Sequence, residues 1–303
     1  MTSHVLVTGA AGMLGRALCE TFEPHFKLIK ISKSGRENTL ACDLSNLSAT
    51  RKIFENQKIN LVVNSAAYSD VDGCERDPEQ AFRANTVIPK NLAMICSEKK
   101  IPWIHISTDY VFDGKKRSPY AETDPTGPVN IYGMTKWAGE FYALKSASPA
   151  VVVRTSWLFG AHEPKNFVNA IVERLRKEDE ISVLDDQRDA PTYVKDLSLC
   201  VQKIAGHLFD FSKNNPDKAW NEIFHVCNTG DTTRHEMAVA IRDFMGLSKK
   251  KVHVTDRTQI KNRVAIRPDY VAMSNRRFQD FFKMKIRPWR ESLSEYIKEQ
   301  CAS

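Results

Sequence analysis

No stretch of this sequence approaches the ~18 consecutive apolar residues that a membrane span needs, so no membrane partner is expected. The first apolar run begins almost at Met1, with neither a basic segment nor a small-residue cleavage site ahead of it, so no secretory leader is expected. No Cys-x-x-Cys pair occurs, and no histidine stands at zinc spacing from a cysteine. The seven cysteines (19, 42, 74, 96, 200, 227 and 301) are odd in number, in a chain too long to depend on disulfides. They read as reduced thiols of a cytoplasmic protein. Repeats, low-complexity tracts and a recognisable linker are missing. The net charge of +7 is modest and scattered. Its densest cluster, Lys249-Lys250-Lys251, is short and lacks interleaved aromatics, so it reads as solvated loop rather than a nucleic-acid surface.

What is present is an ordinary globular composition, 42% hydrophobic and 27% charged over 303 residues, enough for one large or two modest domains. Short apolar runs (His4–Thr8, Lys27–Ser32, Leu61–Asn64, Trp103–Ser107, Val151–Thr155) alternate with helical stretches such as Gln80–Glu98 and Ile131–Leu144. The runs are nearly all apolar rather than alternating, as strands of a parallel sheet covered on both faces must be. The expectation is an α/β fold, a doubly wound parallel Rossmann sheet built from residues 1–160. A smaller, mostly helical C-terminal lobe is expected from 161–303, with a helix near Phe167–Lys177 and helices and loops after Arg234. Within it, 191–233 returns to the sheet through a strand at Ile223–Val226, and the cleft between the two parts is the expected ligand site.

The first strand runs into Gly9-Ala10-Ala11-Gly12-Met13-Leu14-Gly15 and then a helix. Glycines at this spacing permit a tight turn, close approach of a pyrophosphate to the backbone, and close packing of helix on strand. The helix N-terminus offers free N–H groups to the phosphates. Gly9, Gly12, Met13, Leu14 and Gly15 are therefore expected at a dinucleotide. The second strand does not end in an acidic residue suited to the adenosine ribose. It carries Ser32, Lys33 and Arg36, hydroxyl and cations that suit a 2′-phosphate, so NADP(H) is favoured over NAD(H). Asp43 and Leu44 are placed against the adenine, although Asp43 equally suits capping a turn.

Tyr132 and Lys136 stand four apart on a helical stretch and share one face. A phenol near pKa ~10 exchanges protons poorly at neutral pH, and an ammonium one turn away is expected to lower that value. The pair then protonates an oxyanion as hydride arrives. Alone, Tyr-x-x-x-Lys is a weak signal. It gains force from the dinucleotide loop upstream and from the strand end Ser107-Thr108-Asp109, because ligands collect at such ends in open α/β sheets. Thr108 is positioned to hydrogen-bond the substrate oxygen or the Tyr132 hydroxyl. Ser107 is expected at the cofactor, and Asp109 and Tyr110 at the substrate.

With these motifs go VVNSAAYSDVDGCERDPEQAFRAN, STDYVFDG, YGMTK, VVRTSWLFG, NFV, DQRDAPTY and AIRPDY. The set, spread from residue 5 to about residue 270, resembles the extended short-chain dehydrogenase/reductases, and within them the dTDP-4-dehydrorhamnose reductase-like proteins. The resemblance implies an NADP(H)-dependent reductase acting on the 4-keto group of a nucleotide-linked deoxysugar. It implies Thr108, Tyr132 and Lys136 as catalytic triad, with Lys136 also on the nicotinamide ribose. Ala66, Ala67 and Tyr68 would run past the phosphates and ribose, with Asn85 behind the active site. Trp157 would lie near the sugar nucleotide, and Asn166, Gln187, Pro191 and Arg267 would line its cleft. Arg267 is the favoured diphosphate ligand, since guanidinium forks suit phosphate. A homodimer is compatible with the resemblance.

The sequence departs from that pattern in two places. Asp189 stands where the reductases usually carry glycine, in a loop that faces the substrate. Ala17 stands where some members place a glutamate for an interfacial magnesium, so no metal is expected. A 4,6-dehydratase is disfavoured, because Thr108-Asp109 is followed by Tyr110 rather than glutamate. An epimerase would use the same Tyr–Lys pair. The segments PTYVKDLS and FHVCNTGDTTRHEMAVAIRDF are also similar to the regulatory β subunits of methionine adenosyltransferase, which bind NADP and act through a partner; the N-terminal half is more reductase-like.

Overall fold

The runs at Leu61–Asn64, Trp103–Thr108 and Ala150–Thr155 bury every residue because each strand lies between two helical layers. In the computed structural model, residues 3–162, 166–255 and 263–302 are described. The strands are β1 (His4–Thr8), β2 (Lys27–Ser32), β3 (Leu40–Ala41), β4 (Leu61–Asn64), β5 (Trp103–Thr108), β6 (Ala150–Thr155), β7 (Leu158–Phe159), β8 (Glu180–Leu184), β9 (Arg188–Asp189), β10 (Thr192–Tyr193), β11 (Asn221–His225), β12 (Thr232–Thr233) and β13 (Lys251–Thr255). The α-helices are α1 (Met13–Phe22), α2 (Leu47–Asn56), α3 (Val71–Arg76), α4 (Pro78–Phe82), α5 (Ile88–Lys99), α6 (Ile131–Leu144), α7 (Phe167–Lys177), α8 (Val194–Asn214), α9 (Arg234–Phe244), α10 (Arg276–Phe282) and α11 (Trp289–Ala302). None of the helices in the described residues is long and apolar enough to cross a membrane.

A seven-stranded sheet runs in the order β11-β6-β5-β4-β1-β2-β3, with every pairing parallel. This is the doubly wound Rossmann arrangement. Successive residues of a strand serve opposite cores. Val5 and Val7 pack with Leu14 and Leu18 of α1 and Leu197, Val201 and Ile204 of α8, whereas Leu6 packs with Phe54 of α2 and Leu92 and Ile95 of α5. Both halves of the alternation must therefore be apolar. β11 pairs with β6 from Asn221↔Ala150 to His225↔Arg154, beginning two residues before the stretch read as Ile223–Val226.

Beyond the sheet, a separate core joins Ile171 and Leu175 of α7, Ile181 and Val183 of β8, Met237 and Ile241 of α9, and Leu293 and Tyr296 of α11. It also contains strand pairing, since β13 lies parallel to β8 from Lys251↔Glu180 to Thr255↔Leu184. That strand escaped the sequence reading because most of its residues are exposed, which leaves no apolar pattern to find.

The expected helix Gln80–Glu98 is divided. α4 ends at Phe82, a π-helical turn spans Arg83–Val87, and α5 starts with Pro89 in its first turn. The wider turn directs Asn85 at the backbone of Tyr68, accepting from its N–H at 2.9 Å and donating to its carbonyl at 3.1 Å. Cys19, Cys42, Cys74, Cys96, Cys200 and Cys227 are free thiols, and the Cys301 side chain lies outside the described residues.

Candidate active site

The C-terminal ends of β1, β5 and β6 open onto a cavity of about 1000 Å³. At one end lies the glycine turn. Gly12 is the N-cap of α1 and brings no side chain to cap it, so the first N–H groups of the helix face the cavity without a competing acceptor. A Cβ on Gly15 would come within 2.1 Å of the Gly9 carbonyl oxygen, so only glycine lets α1 close onto the turn. Gly9, Gly12, Met13, Leu14 and Gly15 all line the cavity, as do Ser32, Lys33, Asp43, Leu44, Ala66, Ala67 and Tyr68. This wall fits a dinucleotide: glycine backbone and a helix N-terminus for the pyrophosphate, with polar and cationic side chains beyond it.

Details of that wall depart from expectation. Ser32 is turned inward, its hydroxyl 2.6 Å from that of Thr39 and accepting from Gly35 N–H at 3.0 Å, so it shapes the turn. Arg36 is exposed and does not line the cavity; its carbonyl receives the Thr39 N–H at 3.2 Å in a local turn. Arg83 instead lines the cavity, 3.5 Å from the Asp43 carboxylate. Asp43 accepts from the Ser45 hydroxyl at 2.7 Å and from its N–H at 3.0 Å, and these bonds hold its carboxyl below the usual range.

At the centre, β5 delivers Ser107 and Thr108, the turn after it Asp109, and α6 Tyr132 and Lys136. Asn130 caps α6, its side chain accepting from Gly133 N–H at 2.8 Å. A Cβ at Gly133 would fall 2.1 Å from the Tyr110 carbonyl oxygen, so the glycine beside Tyr132 lets the helix meet the end of β5. Beneath, Glu140 accepts from Ser107 at 2.5 Å and from Arg154 at 2.9 and 2.7 Å, locking α6 to β5 and β6.

Thr108 and Tyr132 line the cavity together, with the Thr108 hydroxyl donating to Asp109 Oδ1 at 2.8 Å, and burial pushes the Tyr132 phenol well above its ordinary pKa. The expected lowering by Lys136 is not what this geometry produces. Lys136 Nζ donates to the Ile106 carbonyl at 2.6 Å, and burial brings the ammonium down to about 8, partly opposed by Glu140. The two charge-bearing atoms do not meet, because packing directs the lysine at the strand rather than at the phenol. The outcome is a phenol that keeps its proton at neutral pH, beside a lysine poised near neutrality.

The far end is lined by Ser156, Trp157, Asn166, Asp189 and Arg234. Asn166 is the N-cap of α7. Trp157 holds φ +39°, a left-handed conformation costly for a bulky residue, and its ring lies 5.4 Å from that of Phe167. The Arg234 guanidinium lies 5.8 Å from both ring centres. Arg234 was missed in the sequence. The local signal was the capping box Thr233-x-x-Glu236, which starts a helix at Arg234, but nothing local says that this helix faces the cavity.

Asn85, Gln187, Pro191 and Arg267 do not line the cavity. Asn85 is buried between Tyr68 and Thr135, which it reaches at 3.2 Å, and supports the site from behind. Gln187 is buried and accepts from the Tyr110 hydroxyl at 3.2 Å, while Pro191 is buried in the loop before β10. Arg267 is committed elsewhere. It pairs with Asp72 of α3 at 2.8 Å, and Asp72 also accepts the N–H groups of Val264 and Ala265, each at 2.9 Å. That arrangement ties the 264–267 segment to α3 and leaves Arg234 as the guanidinium at the far end of the cavity.

The model of the RmlD substrate binding domain matches residues 3–301. A dTDP-4-dehydrorhamnose reductase of Mycolicibacterium smegmatis is 35% identical over 98% of this chain and 86% of its own length. A crystal structure of a dTDP-4-dehydrorhamnose reductase from Clostridium acetobutylicum is 32% identical with a TM-score of 0.86, covering 98% of this chain and 99% of that one. That of Bacillus anthracis dTDP-4-dehydrorhamnose reductase in complex with NADP is 28% identical with a TM-score of 0.87, covering 99% of this chain and 100% of its own. With the glycine turn, the Thr–Tyr–Lys cluster and a likeness that runs the whole length of the fold, the chain belongs to the RmlD substrate-binding family, that of the dTDP-4-dehydrorhamnose reductases.

Proposed function

We propose that this protein is a cytoplasmic reductase of the 4-keto group of a dTDP-linked deoxysugar and that it uses NADPH. The observation that carries this reading is one continuous cavity with a glycine cradle at one end, Trp157 and Arg234 at the other, and Thr108, Tyr132 and Lys136 between them. Residues 1–160, with the strand Asn221–His225, act as the cofactor-binding part, and 161–303 supply most of the sugar-nucleotide wall.

NADPH, when bound, supplies hydride to the substrate carbonyl carbon. Gly9, Gly12 and Gly15 with the start of α1 hold the pyrophosphate. Thr108 orients the carbonyl oxygen, and Tyr132 donates the proton to that oxygen as negative charge develops. Lys136, while protonated, anchors the cofactor ribose and adds positive charge beside the developing oxyanion. Trp157 offers its ring face to the nucleobase, and Arg234 its guanidinium to the diphosphate.

The decisive measurement is NADPH oxidation in the presence of a dTDP-4-keto-6-deoxysugar, with the product identified. Turnover supports the reading. Binding of NADP(H) without turnover of any 4-keto sugar nucleotide would favour a regulatory role instead. The cofactor choice has its own test. Lys33 and Arg83 are the cations that line the adenosine end, so Lys33→Ala with Arg83→Ala is expected to weaken NADPH binding by about tenfold or more, a charge-assisted phosphate contact contributing ~1.5–3 kcal/mol. Fluorescence titration should show NADH binding almost unchanged; equal losses for both cofactors would count against a 2′-phosphate site there.

A further inference from the structure

Leu6, Val62 and Trp103 belong to one core face of the sheet, and two residues further along each strand stands a polar side chain on that same face: Thr8 of β1, Asn64 of β4 and His105 of β5. They form one row, with Thr8 in register with Asn64 and Asn64 with His105. All three are fully buried, and the row is flanked by apolar neighbours in register, Ile31 of β2 beside Thr8 and Val152 of β6 beside His105. Such groups are tolerated in an interior only if they satisfy one another. Ala66 N–H donates to Thr8 Oγ1 at 3.2 Å, and the Thr8 hydroxyl donates to Asn64 Oδ1 at 2.6 Å. That leaves the Asn64 amide nitrogen facing the imidazole, with Nδ2 2.9 Å from His105 Nδ1. Burial, with the Lys136 ammonium near, holds His105 well below its ordinary pKa and therefore neutral. Nδ1 accepts, so the ring hydrogen is on Nε2. Nε2 has no partner among the described residues, and a Cβ on Gly139 of α6 would lie 3.2 Å from it. Carrying a hydrogen, Nε2 offers the Lys136 ammonium no acceptor, and Lys136 donates to the carbonyl of the next residue, Ile106, at 2.6 Å. At the other end of the row the Ser65 hydroxyl donates to the Thr8 carbonyl at 2.6 Å, and a Cβ on Gly9 would come 2.8 Å from Ala66 N. Gly9, Ser65 and Ala66 all line the cavity, so the row ends where the glycine turn meets the exit of β4.

We propose that His105 is a positioning residue for the dinucleotide: by accepting from Asn64 it locks the Asn64 amide and the Thr8 hydroxyl in one orientation, and so holds the Ala66–Tyr68 wall in place before the cofactor arrives. This rests on the reading that the glycine end of the cavity binds NADPH. Thr8, Asn64 and His105 do not line the cavity, so their effect reaches the cofactor through the backbone of Ala66. Turning the amide round would set two donors on Thr8 Oγ1 and leave the Thr8 hydrogen without an acceptor in an apolar interior, which gives the row a single direction. A wall ordered in advance loses less freedom when the ligand binds, and the gain appears as affinity rather than as turnover.

Two substitutions in the full-length protein separate positioning from packing. His105→Leu fills most of the space but cannot accept a hydrogen bond. His105→Asn gives up ring volume and puts an amide oxygen where Nδ1 stood. Both should lower Tm. Only His105→Leu should weaken NADPH binding, by about tenfold, the scale of one buried donor left unpaired. Its kcat at saturating NADPH and its KM for a 4-keto sugar nucleotide should stay near wild type. Thr8→Val interrupts the row at its other end and should reproduce the loss of affinity, which keeps the test available if His105→Leu does not fold. Nitrogen NMR of the labelled wild type at neutral pH should find the His105 hydrogen on Nε2 and none on Nδ1. Equal NADPH affinity in His105→Leu and His105→Asn, unchanged affinity in Thr8→Val, or a hydrogen on Nδ1 would overturn the proposal while leaving the cofactor reading intact. A wild type that binds no NADPH would overturn both.

Discussion

Replacing Tyr132 with phenylalanine is expected to lower kcat by ~10²–10⁴-fold, the contribution of a positioned general acid, while NADPH affinity and folding stay close to wild type. The change removes one oxygen. The neighbouring Thr108 hydroxyl keeps Asp109 as acceptor at 2.8 Å. The ring survives, and so does its edge-on packing against Tyr110, with centres 5.8 Å apart and planes at 73°. What disappears is a phenol that burial holds in its protonated form at neutral pH. Steady-state assays with a 4-keto sugar nucleotide, alongside a cofactor titration, separate the two effects. If Tyr132 and Lys136 were only a helix pair, worth about 0.5 kcal/mol or less, turnover would remain near wild type and the assignment would be abandoned.

Arg154→Met is expected to cost about 3–5 kcal/mol of folding stability, a large share of the ~5–15 kcal/mol that holds a protein folded. Arg154 and Glu140 are 3% and 2% exposed, and their bidentate contact at 2.9 and 2.7 Å neutralises both charges inside the protein. Removing the guanidinium leaves the Glu140 carboxylate buried with Ser107 as its remaining close partner. The double variant Glu140→Gln with Arg154→Met buries no net charge and should recover much of the loss. Urea denaturation of the two variants and the wild type measures this. A loss below about 1 kcal/mol for the single variant would mean that the pair is solvated or replaceable. The consequence reaches the active site, since the same glutamate helps keep Lys136 protonated.

Part of this site was legible because its signals are local. The glycine spacing of 9, 12 and 15 encodes a turn and a helix start within one short segment, and the cavity begins there. Tyr132 and Lys136 share a helix face by periodicity alone, and the uninterrupted apolar runs require a sheet covered on both sides. Sequence by itself thus determined the central sheet, the glycine turn and the composition of the Thr108–Tyr132–Lys136 cluster. Tertiary structure decided whatever depends on which distant groups meet. Arg267 looked like a phosphate ligand by side-chain chemistry, but Asp72 and the pinned 264–267 segment take it up. Arg234 reached the cavity because Thr233 starts α9 there. Lys136 turned to the Ile106 carbonyl rather than to the phenol, and Asp189 came to line the same cavity as Asp109 across 80 residues of chain. A side chain's type states what it can bind; the direction in which packing turns it, and the water that packing removes from around it, decide what it does bind and whether it keeps its proton.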